Sequence, residues 1–378
     1  MKLSCLQENL SKGLGIVGRA VATRSTLPIT QNVLIATEKS RLKLAATNLE
    51  IAISCWMGAK VEEEGAITVP ARLFTDFVNS LPQDTIEMTL SAKTKTLELK
   101  CARFSGRING VDAQEFPPIP SIGDGITTKI DADALRSAIA QVVFAAAAEE
   151  TRPVLTGVLT EFKSNTLTLA AADGFRLAVH KAPLAKPVAE RIEVIVPARA
   201  LGELQRLLAD QEAPVEVTIN PNKSQVLFRM KDVEIVSQLI QGNFPNYNQL
   251  IPERYSTRAE VNLAEFSKAA KTASIFAREG SAIVRLHVTP SDTKKATGKI
   301  VLAARAEEIG DNIGEIDAKI EGEESKIAFN SKYLADVLGV LNTERVALET
   351  TGPSSPGVIR PVGDENYIHV VMPMFVQW

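Results

Sequence analysis

The sequence predicts an α+β protein assembled from three copies of one domain. At 378 residues the chain is too long for a single hydrophobic core, since domains run to about 100–200 residues. Two motifs recur three times in the same order and at nearly constant spacing, the signature of internal repetition. Within each copy, runs of alternating polarity are interrupted by helical stripes, so sheet and helix share every repeat.

Composition narrows the class. The apolar fraction is 45% and the charged fraction 23%, the balance of an ordinary globular protein. The opening MKLSCLQENLSKGLG lacks the apolar stretch of a signal peptide, and nowhere do 18 apolar residues run without a charge, so a cytoplasmic protein with no membrane partner is expected. Cys5, Cys55 and Cys101 are odd in number and far apart, which offers neither a disulfide framework nor a CxxC knuckle. The net charge of −3 argues against a surface that binds nucleic acid everywhere. Any such contact must be local.

The first repeated motif is LKLAATNLEIAI from Leu42, matched by LTLAAADGFRLAV from Leu167 and more loosely by IVLAARAEEIG from Ile300. The second is ITVPARLFTDFVNSL from Ile67, matched by VIVPARALGELQRLL from Val194 and IAFNSKYLADVLGVL from Ile327. Connectors containing proline, QEFPPIP ending at Pro120 and GNFPNYNQLIP ending at Pro252, fall where the first two copies should end. Domains of 1–123, 124–252 and 253–378 follow.

Inside a copy, Leu97, Leu99 and Cys101 alternate with Glu98 and Lys100, the period of a half-buried strand. Two helices per copy are read from stripes such as Leu135, Ile139, Val142 and Val143, then Leu201, Leu204, Leu207 and Leu208. In VPAR the strand ends and Pro70 or Pro197 sits near the first helical turn, where a missing N–H costs nothing.

Arg72, Arg199 and Lys332 occupy one repeat-equivalent position in the first turn of the second helix. A cation there is disfavoured by the helix dipole by about 0.3–1 kcal/mol, so its presence in all three copies asks for another reason. Arg24, Arg152 and Arg278 likewise follow the first helix of each repeat. Helices sharing one face would present a set of cations able to meet phosphates without reading bases. Asp76, Glu203 and Asp336 lie close by, however, and solvated positions inherited from an ancestral repeat would look the same. Charge alone leaves both readings open.

The two ends of the chain carry opposite charge. Lys93 to Arg107 holds Lys93, Lys95, Lys100, Arg103 and Arg107 against Glu98 alone, whereas Glu307 to Glu324 holds eight acids and one lysine. Head-to-tail pairing of two copies would join such patches, and a heterologous contact used twice closes a ring. Unrelated exposed edges remain the alternative.

VPAR, AADGFRLAV, GNFPNYNQLIP and the terminal YIHVVMPM, taken in that order, closely resemble the bacterial DNA polymerase III beta subunit family, the beta sliding clamps, over essentially the whole chain. The resemblance implies three clamp domains, each with two helices lining a pore and antiparallel sheets outside, in a head-to-tail dimer ring around duplex DNA. It implies contact with the polymerase III alpha subunit, an ATP-dependent clamp loader and other replication and repair proteins that carry short hydrophobic motifs. Carried over residue by residue, the partner-peptide cleft comprises Leu155, Gly174, Phe175, Arg176, Leu177, Pro245, Gln249, Leu250, Val370, Met372, Pro373 and Met374. Arg24, Arg72, Arg152, Arg199, Arg278 and Lys332 are the expected DNA-facing set. Lys100, Arg103, Arg107, Ile275, Phe276, Glu307 and Glu308 are the expected dimer interface. Phe175 stands where many members have His and Gln249 where some have Arg, so a less polar groove is expected. The tail Phe375 to Trp378 is longer and more aromatic than the usual ending.

Enzyme readings fare poorly. Gly13, Gly15 and Gly18 spell G-x-G-x-x-G with Glu38 twenty residues beyond, but they lie within the stripe Leu6, Leu10, Leu14, Val17 and Val21 rather than in a strand-to-helix turn. His180, His287 and His369 are scattered, and neither a GxSxG elbow nor a P-loop appears. Asp173 reads as a turn residue, its counterparts being Asn48 and Ala306. No catalytic residue, metal or cofactor is expected.

Overall fold

The computed structural model describes residues 1–149, 151–291 and 297–378. Each repeat runs as strand, helix, three strands, strand, helix, three strands, with two additional short strands in the first copy, Lys60–Glu63 before its second helix and Val111–Asp112 at its end. Among the described residues there are six α-helices: α1 (Gln7–Val17), α2 (Ala71–Ser80), α3 (Ala132–Val142), α4 (Ala198–Leu207), α5 (Leu263–Arg278) and α6 (Ser331–Val340). None is long and apolar enough to cross a membrane.

The expected stripes bury at most of their positions, Val21, Val143 and Leu207 being only half-buried. Leu10, Leu14 and Val17 of α1, and Leu135, Ile139 and Val142 of α3, are all at most 2% exposed. Leu6 instead caps α1 and stays exposed, because the strand Lys2–Leu6 runs straight into the helix. The motif strands Ala66–Pro70, Ile192–Pro197 and Ser325–Asn330 each feed a second helix. In the first two copies a proline closes the strand. In the third, Asn330 takes that place, and its side chain accepts hydrogen bonds from the backbone N–H of Lys332 and Tyr333, satisfying donors the first turn leaves open.

The chain divides into two compact units, Met1–Asp133 with Leu184–Val188 and Arg199–Leu239, and Ala134–Pro183 with Ala189–Ala198 and Ile240–Trp378. The central repeat is shared between them. The first unit holds a five-stranded and a nine-stranded sheet, and the second a twelve-stranded sheet, all antiparallel.

One pairing rule recurs. In the first unit, Ile51–Gly58 pairs with Val233–Gln238, Ile51 opposite Ser237. In the second, Arg176–Pro183 pairs with Tyr367–Val371, Arg176 opposite Val371. Each time the third strand after the first helix of one repeat joins the last strand of the next repeat.

Candidate functional site

The cleft expected from the resemblance is gathered in the second unit around the second of these junctions. Leu177 and Val370 lie opposite each other in the sheet and belong to a buried apolar cluster with Leu159, Ala170, Ala172, Val179, Val358 and Ile368. Phe244, Tyr247 and Ile251 of the connector pack against it only partly buried. Around this floor, large apolar side chains stay in solvent: Phe175 is 60% exposed, Leu250 49% and Met372 41%. Pro245 and Gln249 are exposed on the connector, whereas Leu155 and Pro373 are buried and Met374 half-buried. Phe375 is 86% exposed directly after the cleft wall. An exposed apolar concentration of this kind marks a contact surface, and its thioethers can adapt to more than one ligand.

The corresponding junction in the first unit is closed by its own connector. There Ala52, Ile122, Leu227 and Val236 form the buried cluster, with Ile119 packed on it. Ile122 is only 8% exposed. The repeat-equivalent junctions have therefore diverged: one connector buries an isoleucine in its cluster, and the other packs on its own with side chains only partly buried.

The turn at Asp173–Arg176 shapes the open groove. Asp173 Oδ1 accepts from the backbone N–H groups of Phe175 and Arg176 at 2.9 and 3.0 Å, the turn predicted from its sequence. Gly174 has φ +93°, a conformation that side chains with a Cβ resist. The Phe175 carbonyl accepts from Met372 N–H at 2.8 Å, tying the turn to the opposite wall. Arg176 is 8% exposed: it donates through Nε to Asp173 Oδ2 (2.9 Å), through Nη1 to Asp336 Oδ2 (2.7 Å) and through Nη2 to the Phe144 carbonyl (2.7 Å). Its guanidinium also lies over the Tyr333 ring at 4.4 Å and the Phe144 ring at 5.3 Å. Arg176 thus holds the wall from behind rather than offering the groove a free cation.

Beneath the turn, His369 is fully buried, with Nδ1 3.3 Å from the Tyr367 hydroxyl and its ring stacked on Phe144. Burial, with Arg176 adding to it, pushes its pKa down to about 3. His180 Nδ1 meets Gln141 Oε1 at 2.7 Å, and burial lowers its pKa as well. These histidines are neutral packing residues, and no group of His, Cys, Asp or Glu able to hold a metal ion occurs among the described residues.

The six expected DNA-facing cations are all exposed. Arg72, Arg199 and Lys332 sit in the first turns of α2, α4 and α6. Each has an acid four residues on: Arg72 reaches Asp76 at 3.9 Å and Lys332 reaches Asp336 at 2.7 Å, while Glu203 instead takes Arg19 and Arg206. Arg24 and Arg152 follow the first helices of their repeats, and Arg278 is the last residue of α5. Arg152 lies at the cleft turn, its Nη1 3.5 Å from where a Cβ on Gly174 would stand.

Two strands in the positions of the junction strands lack a junction partner among the described residues. Phe104–Asn109 pairs only with Thr96–Cys101. Gly310–Gly322 pairs along one side with Gly298–Ala306 and uses only its end, from Ala318 onward, on the other. Lys100, Arg103 and Arg107 beside the first edge, and Glu307, Glu308 and Ile275 near the second, are exposed, and Phe276 is half-buried. Arg107 already meets Glu98 of the neighbouring strand at 2.8 Å. Phe104, Ile309 and Ile313, exposed by 57%, 63% and 68%, accompany these charges. No pattern in the sequence marks them, because Phe104 shares its strand with Ile108 and Ile313 with Ile316 and Ile320.

The glycine motif has no phosphate cradle. Gly13 and Gly15 lie inside α1. A Cβ on Gly13 would stand 2.1 Å from the Met57 methyl, so this glycine is a packing residue, whereas Gly15 meets nothing within 4 Å and borders an open cavity of about 580 Å³.

Comparison with known proteins agrees with this architecture repeat by repeat. The family models of the DNA polymerase III beta subunit match as N-terminal domain over residues 1–120, central domain over 129–246 and C-terminal domain over 248–375. The chain is 33% identical to the beta sliding clamp of Synechococcus elongatus, covering 99% of both chains, and 33% identical to that of Bacillus subtilis, again covering 99% of both. The crystal structure of the Bacillus subtilis DNA polymerase sliding clamp superposes with a TM-score of 0.93 at 32% identity over 100% of both chains. A Pseudomonas aeruginosa sliding clamp bound to griselimycin superposes at 0.90, with 29% identity over 100% of both. Three domains of one fold, matched in order over nearly the full length, mean that the chain belongs to the DNA polymerase III beta subunit family, the beta sliding clamps.

Proposed function

We propose that two copies of this chain close head to tail into a ring around duplex DNA and that the open cleft docks the proteins the ring carries. The observation that carries this reading is the pair of unpaired edges. At both internal junctions, the third strand of one repeat joins the last strand of the next. The third repeat's strand Gly310–Gly322 and the first repeat's strand Phe104–Asn109 are left without that partner. Joining them between two copies repeats the same junction, and using the contact twice closes a ring in which every such junction is made. Lys100, Arg103 and Arg107 of one protomer would then face Glu307 and Glu308 of a second copy, with Phe104, Ile275, Phe276, Ile309 and Ile313 as the apolar part.

The chain acts as a sliding clamp, a processivity factor and not an enzyme. It comprises three domains with boundaries near residues 123 and 252. Arg24, Arg72, Arg152, Arg199, Arg278 and Lys332 meet phosphates without reading sequence, and because enclosure holds the DNA, weak contacts suffice and sliding stays possible. Leu155, Gly174, Phe175, Leu177, Pro245, Gln249, Leu250, Val370, Met372, Pro373 and Met374 receive short hydrophobic motifs, with Arg176 bracing the wall. The partners are the polymerase III alpha subunit, the ATP-dependent clamp loader and other replication and repair proteins, in the cytoplasm. Tethering raises polymerase concentration at the template and turns repeated encounters into local rebinding. Primer extension on a singly primed circular template tests this: adding the chain with its clamp loader should lengthen products per binding event, and unchanged product length under single-encounter conditions counts against it.

A further inference from the structure

We propose that Asp336 is a positioning residue for the cleft, through which DNA engagement at Lys332 tightens peptide docking. The proposal rests on the reading of Lys332 as DNA-facing and of the cleft as a docking site. One oxygen carries it. Asp336 Oδ2 accepts from Arg176 Nη1 and from Lys332 Nζ, both at 2.7 Å. Lys332 is exposed, with its side chain 71% accessible, whereas that of Arg176 is 7% accessible. A phosphate can therefore draw the lysine away and cannot reach the arginine.

On the far side of Arg176 the chain of contacts leads straight to the groove. Arg176 Nε holds Asp173 Oδ2, Asp173 Oδ1 holds the Phe175 and Arg176 N–H groups, and the Phe175 carbonyl holds Met372 N–H. Drawing Lys332 onto a phosphate leaves the full Asp336 charge to Arg176, which strengthens a charge-assisted bond in a largely desolvated setting. The turn bearing Gly174 and Phe175 is then held more firmly, so a peptide loses less in ordering it. By linkage, peptide must tighten DNA by the same factor.

The link is particular to this junction. The repeat counterparts of Asp336 are Asp76 and Glu203, and that of Arg176 is Ile51. Asp76 meets Arg72 on its own helix, and Glu203 meets Arg19 and Arg206. Neither counterpart has a buried arginine behind a groove wall.

The test is anisotropy titration of a fluorescein-labelled short hydrophobic peptide into the full-length protein at low salt, with and without nicked circular duplex on which a clamp loader, then removed, has placed it. Wild-type Kd should fall about fivefold on adding duplex, the low end of ordinary coupling factors. Lys332→Ala should already show the tightened Kd without DNA and respond no further. Asp336→Asn should weaken peptide and abolish the DNA response, while Asp336→Glu restores part of both. A support role confined to folding would move affinity without touching the DNA dependence. Wild-type Kd unchanged by duplex, with peptide and duplex both bound, overturns the coupling and leaves the clamp reading intact. Absence of peptide binding to the wild type overturns both.

Discussion

His369 and Arg176 show what single residues add to the account. Among the described residues His369 has no hydrogen-bond partner for Nε2, and burial holds its folded pKa near 3, far below the unfolded value of about 6.5. The unfolded chain therefore binds the proton first, so stability is full above about pH 6.5 and is lost as pH falls from there toward the folded value. Each such histidine contributes a slope of at most about 1.4 kcal/mol per pH unit. His369→Phe, which keeps the ring against Phe144 and discards an unsatisfied nitrogen, should flatten the fall in urea midpoint between pH 7 and pH 5. An unchanged slope would mean that His369 is not held neutral. Arg176 was legible as a member of a family motif, but its partner Asp336 lies 160 residues away, and no local pattern announces a tertiary ion pair. The same limit hid Phe144 and Tyr333. Asp173 was legible because the hydrogen bonds of a turn are local.

At the scale of elements, the helices and most strands follow from periodicity, since a buried face must repeat every 3.6 or 2 residues. The stripe of α1 said where the helix lay without saying why it tolerates glycine. The fold supplies two different reasons. Gly13 is packed beneath Met57 and Leu44, so Gly13→Ala forces a buried methyl to move, whereas Gly15 faces open space. Gly15→Ala should raise stability by about 0.5–1 kcal/mol through helix propensity, and Gly13→Ala should fall below it by about 1 kcal/mol, as read by thermal unfolding; equal effects would refute the packing assignment. Sheet edges were the harder element. Charge asymmetry pointed to them, but which strands stay unpaired depends on register across repeats. Ile313, 68% exposed on one of those edges, is the sharper probe: Ile313→Asp places a charge in the proposed contact, and sedimentation should then report monomer where the unsubstituted chain gives dimer. A dimer of undiminished strength would remove this edge from the interface.

For the whole molecule, triplication was the most legible property, because two motifs held their order and spacing across 378 residues. What repetition could not reveal was divergence among the copies. Ile122 is buried in one junction while Leu250 stays exposed at the other, and the third repeat's strand Gly310–Gly322 and the first repeat's strand Phe104–Asn109 lack the neighbour found at both internal junctions. The proposed function sits in those differences: one cleft for partners, two edges for a second copy, and exposed cations for phosphate. The central claim is that the closed dimer holds DNA by enclosure rather than by affinity. Protein placed by a clamp loader on nicked circular DNA, with retention followed before and after the circle is cut once, tests it most directly. The account predicts long retention on the circle and rapid loss through the free ends after cutting, and equal half-lives on circle and linear DNA would contradict it.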